Sequence, residues 1–266
     1  MNSRHSNPST WASSQTGRDR DGVFKVLNKS NGATYILKVV DRPLYNTHDT
    51  ESIRKELENL EIVRNTPNII QASGVVVSSN PYTTSSKNKN ILVIMGIMLE
   101  YHNRGDLKTI LKENPTRLPS YPWKKWPLQI ATALSHFHAP NITHMDIKPS
   151  NIVIDSRGNA ILIDISGIGG FTHGWLAPEI RNDMTCLPSE LPFEVRRGND
   201  IWAFGRLLGQ IASEGGDCPS GKGLEQIAGE LMIEDVQQRM GLEEAISRLR
   251  ILADSEGTMT ASAPDI

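Results

Sequence analysis

Apolar and polar positions alternate through residues 23–40, VFKVLNKSNGATYILKVV, in two runs around Lys29-Ser30-Asn31-Gly32. An Asn-Gly pair between β-branched and aromatic residues signals a hairpin, because both residues accept the positive φ of a tight turn. The period then changes. In TESIRKELENLEIVRN, Ile53, Leu57, Leu60 and Val63 recur at helical spacing. Two apolar runs near 69–77 and 91–99 read as strands, and polar SSNPYTTSSKNKN between them reads as a loop. Past Tyr101 helices dominate. DLKTILKEN predicts a short helix, and WKKWPLQIATALSHFHA predicts a longer one with an apolar face, ending near Pro140. NDIWAFGRLLGQIA is apolar on most sides and reads as a buried helix. LEQIAGELMIEDVQQRMGLEEAISRLRIL reads as two amphipathic helices.

The predicted fold class is therefore α+β and bilobal. A strand-rich small lobe covers 21–101, a linker lies near Glu100–Gly105, and a helical large lobe covers 102–252. Clefts between lobes are common ligand sites. Residues 1–20 and 253–266 are polar and aperiodic, and read as unstructured tails.

Composition narrows the function classes. The 266 residues carry a formal net charge of −2, so no strong pull toward nucleic acid or an anionic membrane is expected. Cys186 and Cys218 are too few for a disulfide framework or a thiolate metal site, which is the usage of a cytoplasmic or nuclear protein. The longest apolar run, Ile91–Leu99, is interrupted by Gly96 and is too short to span a bilayer. The N-terminal segment lacks the apolar core of a secretory signal.

The string HMDIKPSNIVID carries the chemistry. Asp146 is a carboxylate suited to orienting a hydroxyl and accepting its proton. Lys148 places a positive charge two residues on, suited to a phosphoryl group in transfer. Asn151 offers an amide oxygen, a hard donor of the kind Mg²⁺ accepts. Apolar IVI, the turn Ser156-Arg157-Gly158-Asn159 and apolar AILI then predict two strands that return Asp164 to the side of Asn151. His136 and His138 lack a third metal ligand at suitable spacing and read as helix-end histidines. His144 reads as structural.

This string resembles the catalytic loop of eukaryotic protein kinases, His-Arg-Asp-x-Lys-x-x-Asn in the serine/threonine branch. Asp164-Ile165-Ser166 sits where that family has Asp-Phe-Gly, eighteen positions after Asp146. Ala177-Pro178-Glu179 matches the end of its activation segment, and Asp200-Ile201-Trp202-Ala203-Phe204-Gly205 is similar to its buried helix. Arg239 resembles the partner of the Ala-Pro-Glu glutamate. In the small lobe, Tyr35-Ile36-Leu37-Lys38 resembles Val-Ala-Ile-Lys, Glu56 the helix glutamate, and Leu99-Glu100-Tyr101-His102 the hinge. The resemblance covers about residues 22–252. It implies ATP and Mg²⁺ as cofactors and a protein substrate, with no nucleic acid and no membrane. It implies Asp146 as the catalytic base, with Lys148 beside the transferring group. It implies nucleotide contacts at Val23, Ile36, Lys38, Glu56, Glu100, His102, Asn151, Val153 and Asp164, and metal ligation by Asn151 and Asp164. Thr172 is implied as an activation-segment threonine contacting Asp146.

Several positions depart from the family pattern. The glycine-rich loop positions fall on Thr16, Arg18 and Asp21, with Gly17 and Gly22 nearby. Ile36 stands where the family has alanine over the adenine. Met145 replaces the arginine that meets a phosphorylated activation loop, and the stretch from Asp164 to Glu179 is short. Ser166 replaces a glycine. The chain between Glu179 and Asp200 is longer than usual, and one helix is expected to be missing after the Asp200 helix. Three functions stay open: an active serine/threonine kinase, a pseudokinase scaffold with weak or no turnover, and a small-molecule kinase. Ala177-Pro178-Glu179, Asp200 and Arg239 count against the third.

Overall fold

A computed structural model describes residues 11–13, 22–39, 47–79, 92–113, 118–168, 170–183 and 186–259. The chain divides into two compact units, one formed by residues 1–65 with 70–101 and the other by 66–69 with 102–266.

The first unit holds a five-stranded antiparallel sheet. Its strands are β1 (Trp11–Ser13), β2 (Val23–Asn28), β3 (Thr34–Val39), β4 (Ala72–Ser79) and β5 (Leu92–Glu100), in the order β1-β2-β3-β5-β4. The hairpin forms where Asn-Gly predicts it. Gly32 takes φ 68°, the Gly32 N–H bonds the Asn28 carbonyl, and Val23 faces Lys38 across the β2–β3 ladder. Gly96 is required in β5, since a Cβ there would stand 2.5 Å from the Lys38 carbonyl oxygen. The β4–β5 register slips at the same place, leaving Met95 as an extra residue.

Helix α1 (Thr47–Ile62) turns Glu56, Asn59 and Leu60 inward, and buried Val63 follows just past its end on the same face. Arg54, Glu58, Glu61 and Arg64 stay at the surface in short-range ion pairs. An i, i+3, i+4, i+7 face buried on one side and charged on the other is the expected amphipathic arrangement.

The second unit is mainly helical. It contains α2 (Leu107–Glu113), α3 (Trp126–His138), the small sheet β6 (Ile152–Ile154) with β7 (Ala160–Leu162), and α4 (Pro178–Arg181). It continues with α5 (Phe193–Gly215), α6 (Pro219–Leu231) and α7 (Leu242–Met259). Trp126, Phe137, Ile147, Ile152 and Phe204 are fully buried at its centre. Each such side chain contributes about 1.5–3 kcal/mol of transfer free energy. Helix α5 packs closely on α6, because Gly205 leaves no Cβ where one would meet Leu231 Cβ at 2.8 Å.

Two tail expectations are corrected. Residues 1–20 were expected to be unstructured, yet Trp11–Ser13 pair with Val26–Asn28. The otherwise open edge of β2 offers unpaired backbone groups, and three residues suffice to satisfy some of them. The C-terminal tail was expected from 253, but α7 runs on to Met259, since the chain holds no proline there to stop it. Helix α5 also begins at Phe193, earlier than the buried run suggested, with Pro192 at its N-cap. Among the described residues no helix is long and apolar enough to cross a membrane.

Candidate active site

The residues singled out in the sequence fall into two groups, one in each unit. In the first unit, Lys38 on β3 and Glu56 on α1 form an ion pair at 2.5 Å, with the Glu56 side chain fully buried and Lys38 22% exposed. Burial sets Glu56 apart from the neighbouring glutamates of the helix. Glu58 is taken by Arg54 and Lys55, and Glu61 by Arg64, all at the surface. Val23 pairs with Lys38, Ile36 with Leu99, and Glu100 with Tyr35. The Glu100 N–H donates to the Gln71 carbonyl at 3.2 Å. Gly22, at φ 86°, accepts from the Val39 N–H. Thr16, Arg18 and Asp21 lie outside the described residues.

The second unit holds the larger constellation. A short 3-10 turn, Pro149–Asn151, sets Asn151 at the entry to β6. The β6–β7 hairpin then returns the chain, and the Ile163 N–H donates to the Asn151 carbonyl at 3.0 Å. Asp164 is thereby brought back beside Asn151 along the backbone, as the two predicted strands require. Val153 lies mid-strand in β6 opposite Ile161 and bridges Asp106, and His102 begins the longer segment of the unit.

Around Asp146 the polar groups interlock. Lys148 Nζ donates to Asp146 Oδ2 and, at 2.8 Å, to Thr172 Oγ1. The Thr172 hydroxyl donates to Asp146 Oδ1 at 2.9 Å. Asn151 Nδ2 donates to the Asp146 carbonyl at 2.8 Å and to Oδ2 at 3.0 Å. Both carboxylate oxygens are fixed, so the side chain has little freedom to rotate. A hydroxyl already sits between the Asp146 carboxylate and the Lys148 ammonium. The arrangement can therefore bind an alcohol with its oxygen near a cation and its proton directed at a base.

Asn151 spends its two N–H groups on Asp146. Its Oδ1 is buried with no hydrogen-bond partner among the described residues. A buried amide oxygen without a donor costs free energy unless something positive meets it. An amide oxygen is a hard donor of the kind Mg²⁺ takes, and the backbone returns Asp164, a carboxylate-bearing residue, to its neighbourhood. The residues fit that cation.

The backbone of this loop is strained. Met145 has φ 67° and Asp164 φ 63°. Such conformations cost about 1–3 kcal/mol for a side-chain-bearing residue and persist only where the surroundings enforce them. Asp200, fully buried on α5, supplies the restraint. Its Oδ2 accepts from the His144 N–H and its Oδ1 from the Met145 N–H, both at 2.8 Å. His138 Nε2 lies 2.9 Å from the same carboxylate. His144 is structural, as expected: its Nδ1 accepts from the Asp146 N–H and its Nε2–H donates to the Ile163 carbonyl. Gly167, not Ser166, takes the positive φ after Asp164, at 70°. A Cβ there would stand 2.5 Å from the Thr143 carbonyl oxygen.

Glu179 and Arg239 form a bidentate pair at 2.6 and 2.9 Å, with Arg239 also donating to the Ile233 carbonyl. Sequence reasoning missed the anchoring part of Asp200 with His138, and also Arg196, whose Nη1 donates to buried Thr143 Oγ1. The signal for Asp200 was present: an acid inside an otherwise apolar helix must find donors.

The model of the protein kinase domain matches residues 19–248. The chain belongs to the protein kinase family. Its curated relatives are kinases of varied kinds. It is 29% identical over 184 residues to the probable LRR receptor-like serine/threonine-protein kinase RPK1 of Arabidopsis thaliana, covering 62% of this chain and 29% of the relative. It is 28% identical over 205 residues to NUAK family SNF1-like kinase 2 of Rattus norvegicus, covering 72% and 29%. It is 27% identical over 216 residues to Wee1-like protein kinase 2 of Xenopus tropicalis, covering 73% and 36%. The chain thus spans well under half the length of each of these kinases. The bilobal α+β expectation agrees with the kinase domain and with the antiparallel sheet followed by helices.

Proposed function

We propose that this protein kinase transfers the terminal phosphoryl group of ATP to serine or threonine hydroxyls of protein substrates. The observation that carries the reading is the Asp146 carboxylate, clamped by Lys148, Asn151 and Thr172, beside the partnerless Oδ1 of Asn151. Asp146 orients the acceptor hydroxyl and takes its proton. Lys148 offsets negative charge on the group in transfer. Lys38, held extended by Glu56, meets the α- and β-phosphates, and Val23, Ile36 and Val153 contact the adenine. Glu100 and His102 contribute hinge backbone to the adenine edge. Asn151 and Asp164 would hold Mg²⁺, which neutralises phosphate charge when bound. Thr172 and Lys148 favour serine and threonine over tyrosine.

Phosphate incorporation from labelled Mg-ATP into generic protein substrates, followed by phosphoamino-acid analysis, tests this reading. Label on serine and threonine is expected. Label on tyrosine alone, or on small alcohols but not proteins, contradicts it.

A scaffold without turnover is the second reading, favoured by the non-glycine residues Thr16, Arg18 and Asp21 at the phosphate-loop positions. Thermal shift with ATP, with and without Mg²⁺, separates the two. No shift in either condition favours the scaffold.

A further inference from the structure

The stretch from Asp164 to Glu179 contains two hydroxyl side chains, Ser166 and Thr172, and no tyrosine. Neither is displayed. Ser166 is 3% exposed, and the Thr172 hydroxyl is held between Lys148 and Asp146. A phosphate on either would displace existing contacts. The residue before Asp146, where the family pattern has a phosphate-reading arginine, is Met145, and its side chain is 3% exposed.

Met145 lies in an apolar cluster with Leu176 and Ile180, each 1% exposed, and Leu191 and Val195 pack against that cluster. Leu176 and Ile180 flank Ala177-Pro178-Glu179. Leu191 and Val195 belong to the long connection between Glu179 and Asp200. A cation is present nearby, but it comes from α5. Arg196 Nη1 donates to Thr143 Oγ1 at 2.6 Å and Nε to the Leu191 carbonyl at 3.0 Å. Thr143 is fully buried, and its carbonyl is the atom that excludes a side chain from Gly167. Three residues further along α5, buried Asn199 accepts the Ala177 N–H at 2.9 Å. The early start of α5 thus contacts one end of the segment that carries Asp164 and Thr172 directly, at Ala177, and reaches the other through Thr143, whose carbonyl lies against Gly167.

We propose that Leu187–Arg196 is a fixed clamp that orders Thr172–Ile180 without a phosphate, with Met145 and Arg196 as positioning residues. Its consequence for turnover rests on the kinase reading, but its consequence for order does not. The apolar cluster supplies the attraction that an arginine–phosphate pair would otherwise supply. Arg196 ties the clamp to the backbone beside Gly167.

Hydrogen exchange on the full chain, phosphatase-treated and shown phosphate-free by mass, reads the clamp directly. Met145→Arg and Arg196→Gln are expected to speed exchange of amides in 172–180 by about tenfold or more, with peptides of α3 and α6 unchanged. Met145→Leu is expected to stay within about twofold of wild type, because volume and polarity are kept. In a peptide-kinase assay the two disruptive variants lower kcat about tenfold with KM for ATP within about twofold, as for lost positioning. Phosphatase treatment of wild type leaves exchange and kcat unchanged. Unaltered exchange at 172–180 in Arg196→Gln overturns the proposal, and so does loss of protection in the phosphate-free wild type. A wild type that is silent toward peptides while the exchange pattern holds overturns the kinase reading and leaves the clamp standing.

Discussion

Glu56 shows how far single residues can be read. Glu56, Glu58 and Glu61 all lie in α1, and the family's spacing to Leu60 and Val63 selects Glu56 as the partner of Lys38. The structure pairs it there with no solvent exposure. Lys38→Met leaves a buried carboxylate without that cation. Unfolding stability is expected to fall by about 3 kcal/mol, and adding Glu56→Gln should recover at least half of it. Urea denaturation of the single and double variants measures both. Asp155 offers a second test at this scale. Burial pushes its carboxyl pKa up, but donation from the Asn159 N–H, the Asn159 side chain and the Arg157 N–H, with the His102 charge, holds it below its usual value. A depressed carboxyl stabilises the fold above its unfolded pKa and loses that contribution as pH falls through the folded value. Asp155→Ala is expected to cost about 1–2 kcal/mol near neutrality. The gap to wild type should close as pH drops below about 4. Chemical denaturation across pH measures it, and a gap independent of pH contradicts the assignment. What the residue scale concealed was Met145. Its position in the string was plain, but only three-dimensional packing gives it Leu176 and Ile180 as neighbours.

At the scale of elements, legibility followed period and length. The β2–β3 hairpin and α1 were clear, because alternation and the 3.6 period persist over enough residues to outweigh chance. β1 was not, since three residues hold no period and the strand exists only because β2 presents an open edge. The start of α5 was hidden by Gly198, which reads as a helix break. In the structure its carbonyl accepts from Arg239 Nη1 at 3.3 Å, beside the Glu179 pair. Glycines within α5 divide by their surroundings. Gly205 faces Leu231 Cβ at 2.8 Å, whereas Gly209 meets nothing nearer than Ala228 Cβ at 3.9 Å. Gly205→Ala is expected to destabilise by about 1–3 kcal/mol through overpacking. Gly209→Ala should be neutral or stabilising by up to about 1 kcal/mol, since a helical glycine carries an entropic cost. Thermal melts of the two variants compare them, and equal effects would contradict the close α5–α6 contact.

At the scale of the whole molecule, family membership was legible in the sequence because the kinase-like motifs occur along the chain in the family's order. Each motif constrains a different element, so chance agreement is improbable. Turnover was less legible. The glycine-rich loop positions that the family pattern implies are occupied by other residues. The second unit supplies a complete proposed chemistry in one network: Asp146, Lys148, Asn151 and Thr172 around a single carboxylate. The central claim is that this carboxylate carries phosphoryl transfer. The most direct measurement is Mg-ATP-dependent phosphate incorporation into a generic serine/threonine substrate by wild type and Asp146→Asn, purified identically. Incorporation by wild type is expected, with loss of at least about 100-fold in the variant, the scale of a lost general base. Equal incorporation by the two proteins would contradict it.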